Sequence, residues 1–215
     1  MKVRLRFSFL IILALLLCFS CTRPPFTLMG IHTGVSRVSH FDSEGKLTTS
    51  YESLSVFIES EEDAELQMEV TSPDGLTTWL FPAPKKSIDK QGYYGKAGLS
   101  LGQWMSLPSG EWSLRVLRSD GRTITEHFAL EKGAEATSFQ HHLDAGKGTL
   151  VLDGEVGECA IQLLDETKKT LYATLTTEQT IDLTKLYPQW DRVRFLGLAW
   201  YDEAAKKSQI AWYAL

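Results

Sequence analysis

The sequence predicts an all-β protein, with an antiparallel β-sandwich followed by a second, smaller β-rich domain. From Phe26 onward, apolar residues recur at almost every second position, as in strands with one buried face. Turn signals such as SPDG at Ser72–Gly75 and SDG at Ser119–Gly121 separate these runs. No stretch up to Leu130 has a helical period. The alternation and the turns therefore favour sheets over helices.

The first 20 residues predict a signal peptide. Lys2, Arg4 and Arg6 form a positively charged segment, and the following run to Phe19 is apolar except for Ser8. This run is too short to span a bilayer comfortably, because a transmembrane helix needs about 20 apolar residues. A positive segment before a short apolar run is typical of secretory signal peptides. The alternative, a buried N-terminal helix, would alternate polar and apolar faces.

Two cysteines lie at the end of the apolar run, and Cys21 is the predicted site of lipid attachment. Ser20 and Cys21 resemble the end of the lipobox of bacterial lipoproteins, in which Leu, a small residue and Gly, Ala or Ser precede Cys. Cys18 and Phe19 depart from the first two places of that pattern. The resemblance implies cleavage after Ser20, a diacylglycerol thioether on Cys21 and acyl chains such as palmitate. Cys18 is a poorer candidate, because the residue before it is Leu17.

The lipobox resemblance implies a location as well as a modification. A lipoprotein of this type belongs to the bacterial cell envelope and is held on a membrane by its lipid, here by expectation the outer membrane. Residues 21–25 form the lipidated tether, and several acyl chains on one residue anchor a protein stably. Because the tether before Phe26 is short and contains two prolines, the first domain should lie close to the membrane surface.

Charge and cysteine content exclude several classes of protein. The signal peptide carries three basic and no acidic side chains, so its removal takes the formal net charge from −5 to −8. Nucleic-acid binding proteins need clustered Lys and Arg, and we therefore expect no nucleic-acid partner. With Cys21 acylated, Cys159 has no partner for an intrachain disulfide. Its alternation with Ile161 and Leu163 predicts a buried thiol in a strand rather than a reactive one.

The predicted sandwich covers residues 26–131. Alternating runs such as Leu66, Met68 and Val70 mark its strands. Seven strands are predicted, near residues 27–39, 50–59, 64–71, 76–82, 97–106, 111–118 and 122–130. This number of short strands, separated by turns, is typical of a β-sandwich.

The segment LPSGEWSLRVLRSDG resembles the corner before strand F of fibronectin type III and related immunoglobulin-like domains. Leu107, Pro108 and Gly110 precede the aromatic Trp112, and Leu114 and Val116 continue the alternation. The family usually has Tyr at the aromatic position, where the hydroxyl bonds back to the chain. Trp112 offers an N–H donor and no acceptor. The resemblance implies a fold and no particular function.

A polar, small-residue segment at 132–137 is the predicted linker, and residues 138–215 form the predicted small β-rich domain. Its terminal hairpin runs from about Arg192 to Leu215, and Trp200 and Trp212 could pair across it. A short helical turn is expected before Pro188. The alternative is one continuous fold in which the linker is an internal loop.

The sequence contains no recognisable catalytic or metal-binding motif, and we predict no catalytic residue, no metal and no cofactor. His141 and His142 are adjacent, so on a strand they point to opposite faces and cannot bind one metal ion. The weak candidates for ligand binding are Tyr93 and Tyr94, between glycines in a predicted loop. Such loops and tyrosines are common at binding sites, although core packing is an equally good explanation of the pair.

These observations predict a membrane-anchored envelope lipoprotein that is not an enzyme and acts as a binding module for a protein or a glycan. A structural or assembly accessory of another envelope protein is the main alternative, since the short tether favours it slightly. A hydrolase is less favoured, because nothing pairs a nucleophile with a base. The oligomeric state is left open by the sequence.

Overall fold

The computed structural model describes residues 26–61, 64–88, 91–131, 133, 140–153 and 157–215. The predicted signal peptide, the tether and Cys21 lie outside these ranges. Of the predicted linker, only Gly133 is described.

The described residues form fifteen strands and two short helical turns. The strands are β1 Gly30–Phe41, β2 Leu47–Glu59, β3 Leu66–Thr71, β4 Thr78–Ala83, β5 Lys85–Ile88, β6 Gln91–Ser100, β7 Gly110–Arg118, β8 Thr123–Leu130, β9 Gln140–Asp144, β10 Thr149–Asp153, β11 Cys159–Leu164, β12 Thr170–Thr176, β13 Thr180–Asp182, β14 Phe195–Asp202 and β15 Lys207–Ala214. Helix α1 spans Leu183–Leu186, and a 3-10 turn spans Trp190–Arg192. The predicted all-β class is confirmed.

The strands form three sheets. An eight-stranded sheet has the order β12-β11-β14-β15-β1-β2-β6-β5. A four-stranded sheet, β4-β3-β7-β8, and a three-stranded sheet, β13-β10-β9, complete the fold. The β1–β15 pair is parallel, whereas the other described pairs are antiparallel. Because β1 follows the predicted tether and β15 ends the chain, the large sheet contains strands of both predicted domains.

Two hydrophobic cores include residues of the large sheet. In the first core, Leu54, Val56 and Ile58 of β2 pack with residues of the four-stranded sheet, among them Met68 and Trp112. The second core is formed by residues of β11, β14 and β15 with Leu143 and Leu150 from the three-stranded sheet, and it includes Ile161, Leu163, Leu196, Leu198 and Tyr213. Paired residues on neighbouring strands place their side chains on the same side of a sheet. The side of the large sheet that carries these core residues is called the inner face below.

The predicted strand at 97–106 is displaced, because only residues 97–100 lie in strand β6, whereas each of the other six predicted strands of the first segment overlaps an observed strand over most of its length. The chain is in strand β6 from Gln91 and leaves it after Ser100. Gly95 lies opposite Phe57 in the β2–β6 pairing. A Cβ at Gly95 would be 2.1 Å from the Val56 carbonyl oxygen, so a side chain cannot fit there. The glycines around the tyrosines thus permit close strand contact and do not mark a loop.

Trp112 bonds back to the chain just before β7. Its indole Nε1–H donates a hydrogen bond to the Pro108 carbonyl oxygen at 3.1 Å, and the ring is fully buried. Trp79 stacks on it with a centroid distance of 5.6 Å. The resemblance to fibronectin type III domains stays a prediction.

The short helical turn before Pro188 is confirmed as α1. Asp182 caps its N-terminus, because its carboxylate accepts hydrogen bonds from the Thr184 and Lys185 backbone N–H groups at 3.1 and 3.2 Å. The cross-hairpin pairing of Trp200 with Trp212 is wrong. Trp200 is opposite Gln209 and packs against the second core, whereas Trp212 is opposite Gly197 on the other side of the sheet.

Candidate functional site

On the side of the eight-stranded sheet opposite the two cores, one region has no charged side chains and is called the outer face below; Glu59 of β2 lies on the same side but beyond this region. Three rows of paired residues form it across strands β12 to β2. The central row is Leu175, Ala160, Ala199, Ile210, Val38 and Tyr51; one flanking row is Ala173, Gln162, Gly197, Trp212, His40 and Thr49; the other is Tyr201, Ser208, Ser36 and Ser53. None of these residues is Asp, Glu, Lys or Arg.

The apolar residues of the outer face belong to neither hydrophobic core in the described part of the chain. Leu175 and Tyr201 are 59% and 55% exposed, and Ile210 and Trp212 are half-buried. Val38 is buried, although it lies on this face. With strands about 4.8 Å apart and alternate residues roughly 6.6 Å apart, the rows span about 24 by 13 Å. The apolar residues lie mainly in the central row and beside Trp212, and contiguous exposed apolar surface often marks an interaction site.

Aromatic rings make the outer face flat and well ordered. The Trp212 ring lies against Gly197, where an added Cβ would come within 2.5 Å of the indole. Gly197 is therefore the small residue that lets the ring lie flat on the sheet. His40 and Tyr51 stack with a centroid distance of 6.0 Å. A flat surface of packed rings loses little side-chain entropy when a partner covers it.

One cation lies beside the outer face. Lys168, in the turn between β11 and β12, has its ammonium 5.8 Å from the centroid of the Phe195 ring. Burial, followed by the positive charge of Lys168, lowers the pKa of His40. His40 is therefore neutral at pH 7, and the face keeps its uncharged character at that pH.

Tyr93 and Tyr94 lie in strand β6 and not in the predicted loop. Tyr94 is 1% exposed and belongs to the first core, with the Lys85 ammonium 5.9 Å from its ring centroid. Tyr93 lies on the other side of the strand, with its ring 5.5 Å from that of His32. The two tyrosines thus do not form one contact surface.

Tyr94 nevertheless lines a cavity of about 790 Å³ at one end of the first core. Leu66 and Ala83 are also part of its lining, together with polar residues such as Glu65 and Arg118. The Tyr94 ring is nearly inaccessible there, so a ligand in this cavity would meet mainly the cavity rim.

His141 and His142 have different surroundings, as expected of neighbours on a strand. His142 is exposed, whereas the His141 Nδ1 atom is hydrogen-bonded to the Tyr213 hydroxyl. Phe41 and Trp200 surround the His141 ring, and burial lowers its pKa. Burial also raises the pKa of the Tyr213 hydroxyl. The pair is a neutral hydrogen bond inside an aromatic cluster.

Cys159 is fully buried in the second core, as predicted. Burial raises the pKa of its thiol to about 11. It is thus almost entirely a thiol at neutral pH and a poor nucleophile.

In the part of the chain that the structure describes, no three His, Cys, Asp or Glu side chains come together as a metal site would require. Nor does that part include a helix with the length and hydrophobicity to cross a membrane. No protein-family model matches the sequence, and no curated protein matches it either.

Reasoning from the sequence missed the outer face. The signal was present in strands β14 and β15, where apolar residues occupy both alternating sets of positions. Leu196 and Leu198 face the second core, and Ala199, Ile210 and Trp212 face the other way. A strand with two apolar sides usually has something packed on both of them.

Proposed function

We propose that this chain is a lipid-anchored protein of the bacterial cell envelope that acts as a non-catalytic binding module. Its lipid is attached to Cys21, and another envelope protein docks on the outer face. The observation that carries the docking proposal is the absence of charged side chains from the three rows of that face. Depletion of charge at the centre is the feature that separates interfaces from the rest of a protein surface.

The chemistry of the outer face favours a protein over a glycan. Sugars present many hydroxyl groups, which need polar and charged partners around the aromatic ring. Of the sixteen residues in the rows, eight are apolar or glycine, six carry a hydroxyl group, the other two are Gln162 and His40, and none has a charged carboxylate, ammonium or guanidinium group. A protein surface with an apolar centre would bury the exposed parts of Leu175 and Ile210, and polar groups at its edge would pair with the hydroxyls of the row that contains Tyr201.

The size of the outer face fits the centre of an interface. A stable interface buries about 800 Å² per partner, and the three rows cover roughly 300 Å². The surrounding turns, including the one with Lys168, would supply the polar rim. This arrangement is compatible with an accessory that holds a second envelope protein near the membrane, the alternative inferred from the tether.

Attachment to a membrane through Cys21 is supported by the lipobox resemblance and by the start of the fold. Phe26 is buried in the first core, five residues after Cys21. An extended segment of that length reaches at most about 18 Å. A lipid on Cys21 would therefore hold the first core close to the membrane surface.

Radiolabelled palmitate tests the anchor. Cells that express the wild type or Cys18→Ala should incorporate label into the protein, whereas Cys21→Ala should not. Label that persists in Cys21→Ala and disappears in Cys18→Ala would contradict the assignment.

A pair of charge substitutions tests the docking surface. Ile210→Lys places a charge at the centre of the outer face, and Thr125→Lys places one on the exposed side of β8 in the four-stranded sheet. We expect an envelope protein that co-purifies with the wild type to be lost with Ile210→Lys and retained with Thr125→Lys, while both variants keep the wild-type circular dichroism spectrum. Retention of the partner by Ile210→Lys would exclude this face as the docking surface.

A further inference from the structure

A cleft of about 560 Å³ lies on the inner face of the large sheet. Its floor contains Glu52 of β2, Arg37 of β1 and Gln209 of β15, which are paired in one cross-strand row. Leu54, two residues after Glu52, is in the first core, and Ala211, two residues after Gln209, is in the second. The cleft thus lies between the two cores, where the inner face changes from apolar to polar.

Glu52 and Lys207 form an ion pair in the cleft. Glu52 is 4% exposed, and its Oε1 atom is 2.6 Å from the Lys207 ammonium. Its Oε2 atom accepts a hydrogen bond from the Leu107 backbone N–H at 2.8 Å. Because both carboxylate oxygens have donors, Glu52 neutralises Lys207 and leaves the neighbouring cation uncompensated.

That cation is Arg37, which lies opposite Glu52 in the sheet but forms no ion pair with a carboxylate in the described ranges. On its other side is Gln209, which is 7% exposed. The Nε2 amide of Gln209 is buried and has no hydrogen-bond acceptor among the described residues. Buried donors are almost always paired, because an unpaired one costs the free energy of its lost hydration.

We propose that the cleft binds the carboxylate group of a small organic acid with an apolar body. The exposed guanidinium of Arg37 matches the two oxygens of a planar carboxylate, and the buried amide of Gln209 supplies a further N–H donor when its side chain turns toward the ligand. Val35, Leu107 and Leu130 in the lining would contact the apolar body. The volume of the cleft is in the usual range for sites that bind small molecules.

The other charges of the cleft favour a carboxylate over a more highly charged anion. Glu131 is also in the lining, and its carboxylate is paired with the Lys206 ammonium. With Glu52 and Glu131 both nearby, Arg37 provides a single uncompensated positive charge. One negative charge on the ligand balances it, whereas a phosphate dianion would meet repulsion from the two carboxylates.

NMR titration with sodium hexanoate tests the proposal on the chain from residue 21 onward, with Cys21→Ser to remove the lipid. We expect hexanoate to shift the side-chain amide resonances of Gln209 and the Nε–H resonance of Arg37, and hexanamide, its uncharged analogue, to leave them unchanged. Absence of these shifts with hexanoate, or equal shifts with hexanamide, would overturn the proposal.

Substitutions then separate the carboxylate site from general charge effects. Arg37→Gln should weaken hexanoate binding about tenfold or more, as expected for loss of a charge-assisted pair of hydrogen bonds. Arg115→Gln, which removes an exposed arginine near Glu69 on the four-stranded sheet, should leave binding unchanged. Equal weakening by both substitutions would show that only net charge matters and would overturn the site.

The substitution Gln209→Leu distinguishes a glutamine that binds the ligand from one that only supports the fold. If the amide is held unpaired for a ligand, leucine removes a buried unsatisfied donor, and the melting temperature of the free protein stays constant or rises while hexanoate binding weakens. A lower melting temperature with unchanged hexanoate binding would show that Gln209 only supports the fold.

Discussion

At the scale of single residues, Trp112 shows how one donor defines a corner of the fold. Its indole N–H bonds to the Pro108 carbonyl, and its ring lies between those of Trp79 and Phe128. A phenol and an indole can both donate a hydrogen bond back to the chain, so the missing acceptor of tryptophan has no consequence here.

Trp112→Phe should destabilise the protein more than Trp79→Phe does. Both substitutions remove one ring from the same stack, but Trp112 is fully buried and Trp79 only partly, and only the first substitution leaves the Pro108 carbonyl without its donor. We expect a difference of about 1 kcal/mol in the free energy of unfolding, measured by urea denaturation. Equal losses would show that the Trp112 hydrogen bond contributes nothing to stability.

His141 should make stability depend on pH. Burial lowers its pKa in the folded state, so below the unfolded-state pKa of about 6.5 the unfolded chain binds a proton that the folded chain resists. The stability that neutral His141 contributes is therefore fully present above about pH 6.5. It is lost as the pH falls from there to the lower pKa of the folded state.

The pH dependence can be assigned with two neighbouring variants. Between pH 7.5 and pH 5.5, we expect the melting temperature of His141→Gln to fall less than that of the wild type. His142→Gln, at the exposed neighbouring position, should retain the wild-type decrease. The account of His141 is wrong if the two variants have the same pH profile.

At the scale of elements, the contact between β2 and β6 depends on Gly95. The Val56 carbonyl oxygen and the Phe57 Cα occupy the space where a Cβ would be. Gly95→Ala should therefore push the two strands apart and cost about 3 kcal/mol, the upper part of the usual range for overpacking. Gly34→Ala is the matched control, because nothing lies within 4 Å of its added Cβ. Chemical denaturation of the two variants measures the difference, and equal stabilities would refute the proposed contact.

The alternation of apolar residues and the turn residues predicted most strands, because both depend only on a few neighbouring positions in the sequence. The strand at 66–71 and the helical turn at 183–186 are examples. The strand from Gln91 was missed because its glycines are explained only by the closeness of β2, which is distant in sequence. The same limit applies to the parallel pairing of β1 with β15 and to the row of Arg37, Glu52 and Gln209.

At the scale of the whole molecule, the large sheet gives the protein two different surfaces. Its inner face carries both cores and the polar cleft between them. Its outer face carries the uncharged rows, which extend from β12 at one edge to β2. The parallel β1–β15 pair lies in the middle of those rows, so the proposed docking surface exists only when the first and last strands are paired.

Photo-crosslinking in intact cells tests the central claim, docking of an envelope protein on the outer face, most directly. A photoreactive amino acid replaces Ile210 in one strain and Thr125, on the exposed side of β8, in another. The account predicts that position 210 crosslinks to one distinct envelope protein and that position 125 does not. A crosslink from position 210 only to a second copy of this chain, the same products from both positions, or none from position 210 would contradict it.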